Sequence, residues 1–299
     1  MSRRHPATGD RVERARLAQA CATTDRGRHV TTVTTVSDPS PSPDDAVPGT
    51  VHSLVRGLRV IRAFDAGHAR LTLSEVARRT DLSRATARRC LLTLVEVGYV
   101  GSDGRDFFLR PRVLELGHTY LTSLGLPAIA QPHLEELTAR VHESCSVAVL
   151  DGTDVVYVAR VARQRIMTVS IHVGTRFPAH LTSLGRVLLA DLPDRDLDQL
   201  LSQVEFERLT PHTVTDEGAL RAELDRVRRQ GWAVVDQELE VGLRSIAVPL
   251  RDRSGRATAA LNISAGMARG SVAAVRRELL EPLRESAAGI EKEMAHLPL

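Results

Sequence analysis

The chain has 299 residues, of which 42% are hydrophobic, and this is enough for two domains with cores of their own. No apolar run approaches the roughly 18 residues that cross a bilayer, and no apolar stretch follows the N-terminal charges as in a signal peptide, so we expect a cytoplasmic protein with no membrane partner. The net charge of +3 is uneven, because residues 51–112 carry 12 arginines against 6 acidic residues, while residues 113–299 carry 21 basic and 25 acidic residues.

Residues 1–49 contain runs of Ser, Thr, Pro and Asp, such as SDPSPSPDD, and no apolar period. This composition is typical of a disordered N-terminal tail. A flexible arm that adds nonspecific contacts to a partner is one interpretation, and a tail without function, or a start codon assigned too early, is favoured over it. Ordered structure is expected from about residue 50.

A first helix is expected over residues 51–67. Its apolar residues at helical spacing are Leu54, Leu58, Ile61 and Phe64. This stripe can cover the back of the helices that follow.

Residues 71–109 begin with two short helical patterns separated by a tight turn, which is the signature of a helix-turn-helix. Thr72 and Glu75 form a capping-box pattern ahead of the first helix, which should end near Thr80. Asp81 occupies the turn, and aspartate is one of the few residues besides glycine that adopts left-handed backbone geometry at modest cost.

The second helix of the pair, over residues 83–97, has two distinct faces. Its apolar arc consists of Ala87, Cys90, Leu91, Leu94 and Val95. Its opposite arc consists of Ala85, Thr86, Arg89 and Thr93, with Arg88 on the boundary and Arg84 at the helix start. One face is therefore expected in a core and the other free to contact a partner.

A β-hairpin is expected over residues 99–109, because the turn Ser102-Asp103-Gly104-Arg105 contains the Asp-Gly pair that favours tight hairpins. With this hairpin as a wing, residues 50–110 have the pattern of a winged helix-turn-helix DNA-binding domain. A helix fits the major groove of double-stranded DNA, where arginine binds guanine and small side chains meet a thymine methyl. The candidate DNA-binding residues are Arg84, Ala85, Thr86, Arg88, Arg89, Thr93 and Arg105.

The alternative interpretation of this region is a small packing module whose arginines are merely solvated. The surplus of positive charge is confined to residues 51–112, as expected of a surface that neutralises phosphates. The charge distribution therefore favours DNA binding.

Residues 111–126 start with Pro111, which suits the first turn of a helix, and continue with an apolar stripe. We expect a linker helix here. The stripe is broader than one small domain needs, so packing against a second copy of the chain and burial within its own chain are both open.

From residue 127 onward the pattern becomes mixed. Strands are expected over residues 145–150, 155–161, 166–173, 232–235, 245–250 and 257–264, and helices over residues 132–143, 182–190, 194–201, 217–230 and 271–294. The first two strands form a hairpin around Asp151-Gly152. Interspersed elements of this kind suit an α+β domain over residues 127–299, with a central antiparallel sheet flanked by helices.

Catalytic and metal-binding patterns are missing from the sequence, which has no G-x-S-x-G, phosphate loop, G-x-G-x-x-G or H-E-x-x-H. The three cysteines are odd in number and far apart, and neither they nor the histidines have metal-ligand spacing. We therefore expect no enzyme, no cofactor, no metal and no disulfide framework. A metal site assembled from residues distant in sequence stays open as an alternative.

Three segments of the second domain are similar to one family. They are HLTSLGRVLLA (180–190), DQELEVGLRSIAVP (236–249) and AALNISAG (259–266). With the winged helix and the linker helix, they resemble the IclR family of bacterial transcription regulators over all but the first 50 residues. YVARV (157–161) and RIMTVSIHVGTRFPAHLTSLGRVLLA (165–190) are also similar to its regulators of the β-ketoadipate pathway, in the protocatechuate and 4-hydroxybenzoate branch.

The resemblance implies a GAF-like effector domain that binds a small organic or aromatic acid, a homodimer or homotetramer, and a palindromic operator. The protein would then be a ligand-responsive DNA-binding transcription regulator of aromatic acid catabolism genes. An enzyme or small-molecule-binding protein of that metabolism, with the winged helix used for protein contact, is the alternative. Asp81 departs from the family pattern, which usually has glycine in this turn.

The resemblance also implies an effector pocket. Its residues would be Ile166, Val169, Phe177, Ser183, Leu184, Asp236, Leu243, Ser245, Asn262 and Ser264. Ser183 and Leu184 lie early in a helix, where amides without an acceptor favour an anion, although Thr182 suits a plain helix cap equally well. Asn262 and Ser264 share one strand face and can point into one cavity or bond to neighbouring backbone.

Arg165, Arg176 and Arg244 could clamp a ligand carboxylate, but pairing with nearby acids is favoured for each of them. Asp236 and Glu238 would repel such a ligand. We therefore expect these acids to support the site by positioning an arginine or a hydroxyl.

Overall fold

The computed structural model of the chain describes residues 49–65, 67–163 and 171–296, without the side chains of residues 122–124. Residues 1–48 of the tail expected over residues 1–49 lie outside these ranges, as do the candidate pocket residues Ile166 and Val169 and the candidate Arg165. Within the described ranges, no helix is both long and apolar enough to span a membrane.

The first module contains three helices and a three-stranded antiparallel sheet. The helices are α1 (His52–Arg62), α2 (Leu73–Thr80) and α3 (Arg84–Glu96), and the strands are β1 (Leu71–Thr72), β2 (Val100–Ser102) and β3 (Asp106–Leu109). The strand order is β1-β3-β2, so β1, which the sequence did not predict, pairs with the outer side of the wing hairpin. The predicted winged helix-turn-helix is confirmed.

The turn between α2 and α3 has the predicted geometry. Thr72 caps α2 in a capping box, with its hydroxyl accepting from the Glu75 amide and the Glu75 carboxylate accepting from the Thr72 amide. Asp81 has a φ of 53°, so it takes the left-handed conformation that glycine usually supplies. Ser83 then caps α3, since its Oγ accepts from the Thr86 amide at 3.2 Å.

Helix α1 is shorter than predicted and oriented differently. It ends at Arg62 because the chain turns there: the carboxylate of Asp65 accepts from the Gly67 amide at 2.9 Å. Leu54 and Leu58, predicted to cover the module, are 62% and 49% exposed. The core instead takes Val60, Ala63 and Phe64 from this segment, with Val76, Leu91 and Val100 from the other elements.

The linker begins with one turn of 3-10 helix (Pro111–Val113) and continues as α4 (Leu114–Leu124). Gly125 interrupts it with a φ of 61°, and α5 (Leu126–Val141) follows. The prediction that this second helix starts at Pro132 is wrong. Pro132 lies inside α5, where it only deletes one amide hydrogen bond while the apolar face continues through it. Leu114 and Leu116 of α4 are exposed, so their burial within this chain is not observed.

The second module is an α+β domain, as predicted. Its strands are β4 (Ser144–Asp151), β5 (Asp154–Val161), β6 (Arg176–Pro178), β7 (Ala233–Asp236), β8 (Leu243–Arg251) and β9 (Ala257–Gly266). Its further helices are α6 (Ser183–Asp191), α7 (Asp194–Leu201), α8 (Glu217–Gln230) and α9 (Val272–Met294). All strand pairs are antiparallel, in the order β6-β5-β4-β9-β8-β7.

The sheet has helices on both faces. Helices α5 and α9 cover one face, where Leu261 and Ile263 of β9 enter the main core. Helix α6 packs against β8 and β9 from the other side. Because side chains alternate along a strand, Asn262 and Ser264 of β9 point to this α6 side.

Most of the predicted third strand, residues 166–170, lies outside the described ranges, and its described end, residues 171–173, forms no strand. In the described part that follows, the amide of Gly174 donates to the carbonyl of Tyr157 at 2.8 Å, and β6 pairs with the edge of β5. Gly174 has a φ of 89°, which permits the turn before β6.

Candidate DNA-binding face and effector cleft

The outward face of α3 consists of the residues predicted for DNA contact. Arg84, Ala85, Arg88, Arg89 and Thr93 are exposed and Thr86 is half-buried. Thr86 is held near the helix start by a hydroxyl bond from Ser83 (3.0 Å), and Thr93 donates back to the Arg89 carbonyl (3.0 Å). The face therefore presents guanidinium groups and small side chains together.

Several arginines of this module, the DNA-binding candidates among them, have no carboxylate partner in the described ranges, and others of this kind are Arg56, Arg59, Arg62, Arg78 and Arg110. Arg70, Arg79 and Arg112 each pair with a carboxylate. In the described part of the chain, by contrast, no carboxylate lies within 4.0 Å of the candidate DNA-binding arginines, which are Arg84, Arg88, Arg89 and Arg105. Their charge is available to an external anion.

Arg105 lies at the tip of the wing, in the turn between β2 and β3. Gly104 before it has a φ of 96°, which a residue with a side chain rarely adopts. Asp103 closes the turn, with its Oδ1 accepting from the amides of Arg105 (3.1 Å) and Asp106 (2.8 Å). The guanidinium group thus projects from a defined turn.

A cleft opens on the α6 side of the second domain's sheet. Between the described residues it encloses only about 20 Å³, which is roughly the space of one water molecule, so its walls must move apart to admit an aromatic acid. Its floor is formed by strand residues and its walls by the segments before α6 and after β7. The lining residues are Tyr157, Ile171, Leu181, Thr182, Val235, Leu239, Leu243, Ser245, Asn262 and Ser264.

Four of the predicted effector residues line this cleft: Leu243, Ser245, Asn262 and Ser264. Ser245 and Ser264 are in register on neighbouring strands. Asn262 donates from Nδ2 to the Ser264 hydroxyl at 3.3 Å, and its buried Oδ1 has no partner among the described residues. A buried polar atom of this kind is suited to a ligand.

The other described candidates lie behind the lining. Phe177 packs edge-on against the Tyr157 ring, with centroids 5.8 Å apart, and Asp236 pairs with Arg244 at 2.8 Å. Leu184 and Ser183 are fully buried in the first turn of α6, and no described atom bonds to the Ser183 hydroxyl.

The start of α6 is held tightly next to the cleft. The hydroxyl of Thr182 caps it by accepting from the Gly185 amide at 2.9 Å. A Cβ on Gly185 would lie 2.0 Å from the Ala179 carbonyl oxygen, so only glycine allows this close approach. Helix geometry leaves the amides of Ser183 and Leu184 without an intrahelical acceptor.

Arg160 was missed by the sequence reasoning, and a β-bulge explains why. The pairing of β4 with β5 shifts register between Val147 and Ala148. Such a bulge reverses the alternation of side chains, so Tyr157 and Arg160, three residues apart, share a face of the sheet. Alternation alone would have placed Arg160 in the core on the opposite face.

Arg160 on β5, Ser146 on β4 and Asn262 on β9 are cross-strand neighbours. Ser146 is in register with both of the others, and it accepts from Arg160 Nη1 at 2.8 Å. In the described ranges Arg160 has no carboxylate partner, and its Nε is buried without a hydrogen bond. Burial lowers the pKa of this guanidinium, but arginine keeps its charge.

Of the remaining candidate arginines, Arg176 and Arg244 pair with acids of the chain itself, and Arg165 lies outside the described ranges. Arg176 donates to Asp151 and Asp154, and these bonds and charges raise its pKa against the opposing effect of partial burial. Buried Arg186 of α6 pairs with Glu238 at 2.6 Å. The expectation that Asp236 and Glu238 support the site rather than contact the ligand agrees with these pairs.

Three titratable groups of the second domain are strongly affected by burial. Loss of solvent raises the pKa of Tyr157 to about 12 and that of the Cys145 thiol to about 11. Burial, followed by the charge of Arg186, lowers the pKa of His180 to about 4. These groups are thus neutral at pH 7. Among the described residues no group of three or more His, Cys, Asp or Glu is placed to hold a metal ion.

Sequence comparison identifies both modules. Residues 53–104 match the IclR helix-turn-helix domain, and residues 118–292 match the family described as bacterial transcriptional regulator IclR C-terminal. The chain belongs to the IclR family of bacterial transcriptional regulators. An IclR regulator is a DNA-binding protein with an effector domain, so the winged module and the domain with the cleft have these two general roles.

Individual IclR proteins are similar to this chain over most of their length. The Pca regulon regulatory protein of Pseudomonas putida is 47% identical over 74% of this chain and 77% of its own. A transcriptional regulator of Rhodococcus sp. RHA1 has a solved structure with a TM-score of 0.74, at 56% identity over 82% of this chain and 99% of its own.

A third IclR relative has been solved with a ligand. It is a homologue from Microbacterium hydrocarbonoxydans complexed with 4-hydroxybenzoate, which has a TM-score of 0.70 and 32% identity, and the match covers 81% of this chain and 98% of that one.

Proposed function

We propose that this IclR regulator binds a palindromic operator through α3 and the wing, and that an aromatic acid in the cleft changes this binding to control genes of aromatic acid catabolism. The observation that carries the proposal is the outward face of α3, where Arg84, Arg88 and Arg89 are exposed and have no carboxylate within 4.0 Å in the described ranges. Arg105 at the wing tip and Arg160 in the sheet of the second domain also lack a carboxylate partner there, as do other arginines such as Arg195 and Arg253. The protein would act in the cytoplasm, where the chromosome is.

The DNA arm of the proposal assigns α3 to the major groove. Arg88 and Arg89 are positioned to reach base edges, while Ala85, Thr86 and Thr93 are small enough for close approach. Arg84 at the helix start and Arg105 on the wing suit phosphates. Two copies of the chain, as a homodimer or within a homotetramer, would place two α3 helices on the two halves of a palindrome.

The effector arm assigns the ligand carboxylate to Arg160 and to the amides of Ser183 and Leu184. The apolar residues Leu181, Leu239 and Leu243 would cover a ring, and Ser245, Asn262 and Ser264 would bond to its polar substituents. Phe177 and Asp236 would act behind the lining, by packing against Tyr157 and by holding Arg244. The complex of an IclR homologue with 4-hydroxybenzoate supports a ligand of this class.

The DNA arm is tested in two steps. The wild-type full-length chain first selects a duplex from a random-sequence library, and the affinities of variants for this duplex are then measured. Arg89→Ala should weaken binding to this duplex by about 1–3 kcal/mol, with little effect on unrelated DNA, because it removes a base contact. Arg253→Ala, which removes an exposed arginine of the second domain, is the control and should change neither affinity. An equal loss on all sequences would assign Arg89 to phosphate, and failure to select any duplex would overturn the proposal.

The effector arm is tested by thermal shift with 4-hydroxybenzoate, protocatechuate and β-ketoadipate, because a ligand raises the melting temperature according to its concentration relative to its Kd. At least one acid should stabilise the wild type and alter its affinity for the selected duplex. Arg160→Gln should weaken the binding of that acid at least roughly tenfold, since a charged hydrogen-bond partner is lost.

Arg176→Gln is the matched control for Arg160→Gln, because Arg176 already binds two acids of the chain. Its Kd for the acid should stay close to the wild-type value. If none of the three acids binds, the proposed ligand class is wrong. If one binds equally well to Arg160→Gln, Arg160 is not its partner.

A further inference from the structure

The wing of the DNA-binding module is braced by a residue outside the hairpin. Arg70, just before β1, pairs through Nη2 with Oδ2 of Asp103 in the wing turn. Its guanidinium carbon also lies 4.6 Å from the centroid of the Phe108 ring on β3, which is within the range of a cation–π contact. One arginine therefore holds both the turn and the returning strand.

The opposite strand is shaped to fit this arrangement. A Cβ on Gly101 of β2 would lie 2.5 Å from Cε2 of Phe108. The absence of a side chain at position 101 lets the Phe108 ring cross over β2 and lie beneath Arg70. Gly101, Phe108, Arg70 and Asp103, which we call the wing brace, form one connected cluster.

Asp103 uses both carboxylate oxygens in the wing brace. Oδ1 accepts from two turn amides and Oδ2 faces Arg70. These interactions lower the pKa of Asp103, and the largest contribution is the hydrogen bond from the Asp106 amide. A carboxylate therefore stays ionised at the tip of the wing, although this tip is expected to approach the phosphate backbone of DNA.

A negative charge at such a position opposes DNA binding by direct electrostatics. An exposed ion pair also contributes little to folding stability. Neither charge complementarity to DNA nor stability therefore accounts for the pair of Asp103 with Arg70. What the pair does is restrict the turn from which Arg105 projects.

We infer that Asp103 and Arg70 are positioning residues for DNA binding, which fix the wing turn so that the guanidinium of Arg105 is presented to the DNA backbone. This inference rests on the wing contact in the proposed function. Restricting the turn before binding reduces the entropy that is lost when Arg105 is ordered on the DNA.

The deciding variant is Asp103→Asn, because a pure effect of net charge and a positioning role predict opposite changes in the affinity for DNA. Asparagine keeps an oxygen for the two turn amides but removes the charge that pairs with Arg70. If only net charge mattered, the loss of a negative charge would tighten binding to the selected duplex. The positioning role instead predicts binding weakened by roughly three- to tenfold, and a salt dependence smaller by about one phosphate contact.

The second domain offers a matched control in another hairpin turn. Asp252 between β8 and β9 also accepts from two turn amides, those of Ser254 (2.8 Å) and Arg256 (3.2 Å). Asp252→Asn makes the same change of charge and of turn chemistry away from the wing. It should leave the affinity for the duplex and its salt dependence unchanged.

Two further variants keep the outcomes separate. Arg70→Gln should weaken binding as much as Asp103→Asn, and the double variant should be no weaker than either, while the melting temperature of each stays close to that of the wild type. Tighter or unchanged binding by Asp103→Asn overturns the inference, and additive losses show that Arg70 binds phosphate directly. If Arg105→Ala itself has no effect on affinity or on salt dependence, the proposed wing contact is wrong and the positioning role falls with it, whereas a loss in Arg105→Ala without one in Asp103→Asn overturns the positioning role alone.

Discussion

Single arginines in this chain differ in whether a carboxylate lies within reach, and this difference decides what each can do. Arg176 and Arg244 are held by acids of their own chain, whereas Arg160, two strands away from Asn262 of the cleft lining, has a serine hydroxyl as its described partner. A part-buried cation without a counter-charge disfavours the folded state, and an arginine does not relieve this by losing its proton. A bound carboxylate would supply the missing charge, so the same feature that weakens the free domain should strengthen ligand binding.

His180 gives a prediction for the pH dependence of stability. Its ring is buried against Phe206, and neither ring nitrogen has a partner among the described residues. Because burial lowers its pKa from 6.5 to about 4, the unfolded chain binds a proton here more readily than the folded chain. The contribution of neutral His180 is fully present above pH 6.5, and up to about 3 kcal/mol of it is lost as the pH falls toward 4.

Urea unfolding at a series of pH values between 4 and 7 measures this loss. His180→Phe keeps a ring in the site but cannot be protonated, so its free energy of unfolding should depend less on pH over this window. His172→Gln, which changes an exposed histidine, should retain the wild-type slope. A slope in His180→Phe equal to that of the wild type would contradict the assignment.

At the level of elements, local capping signals allowed several helix starts to be placed from the sequence, although α7 was placed correctly at Asp194 without a side-chain cap. Thr72, Thr182 and Ser271 each accept a hydrogen bond from an amide of the helix that follows, and all three helix starts were predicted within a residue. Helix α5 has no side-chain cap, since Gly125 precedes it, and Pro132 was mistaken for its start. The error arose because a proline is tolerated inside a helix that is held by tertiary packing.

The cleft shows the limit of the same reasoning for strands. Asn262, Ser264 and Ser245 follow regular alternation, and the sequence placed them in the site. Arg160 depends on a bulge that exists only when β4 and β5 are paired, and Tyr157 enters the lining because the following chain returns to its strand at Gly174. Pairing between distant segments leaves no local signal, so these two residues could not be predicted.

Two properties of the whole molecule bear on how it would reach DNA. Residues 51–112 have a surplus of six positive charges, whereas residues 113–299 have an excess of four negative charges. Such asymmetry orients the winged module toward a polyanion during approach and accelerates association at low salt. Leucines of α1 in this module and of the linker helix α4 are also exposed, and a large apolar surface of this kind marks an interaction site.

The apolar surface leads to a prediction for assembly. Leu54 and Leu58 of α1, with Leu116 of α4, line a groove that also contains Thr86, Arg89 and Thr93 of the DNA-binding face, so a contact between two copies has to use the leucines and leave these three residues open to DNA. A second copy of the chain would offer the same leucines, so a symmetric pair could bury both sets against each other. The wild type should therefore be at least a dimer, and Leu116→Glu should dissociate it, because an unpaired carboxylate would be buried in the contact.

Sedimentation equilibrium of the full chain measures the mass of the assembly. Binding to the selected duplex then shows how dissociation affects DNA binding. Leu116→Glu should lower the affinity for the palindrome more than that for a single half-site, since the link between two α3 helices is lost, while a carboxylate in the groove that Leu116 shares with Arg89 weakens both. Leu209→Glu makes the same change at an exposed leucine of the second domain and should keep the wild-type mass. A monomeric wild type, or a Leu116→Glu variant of unchanged mass, would show that these leucines do not join two copies.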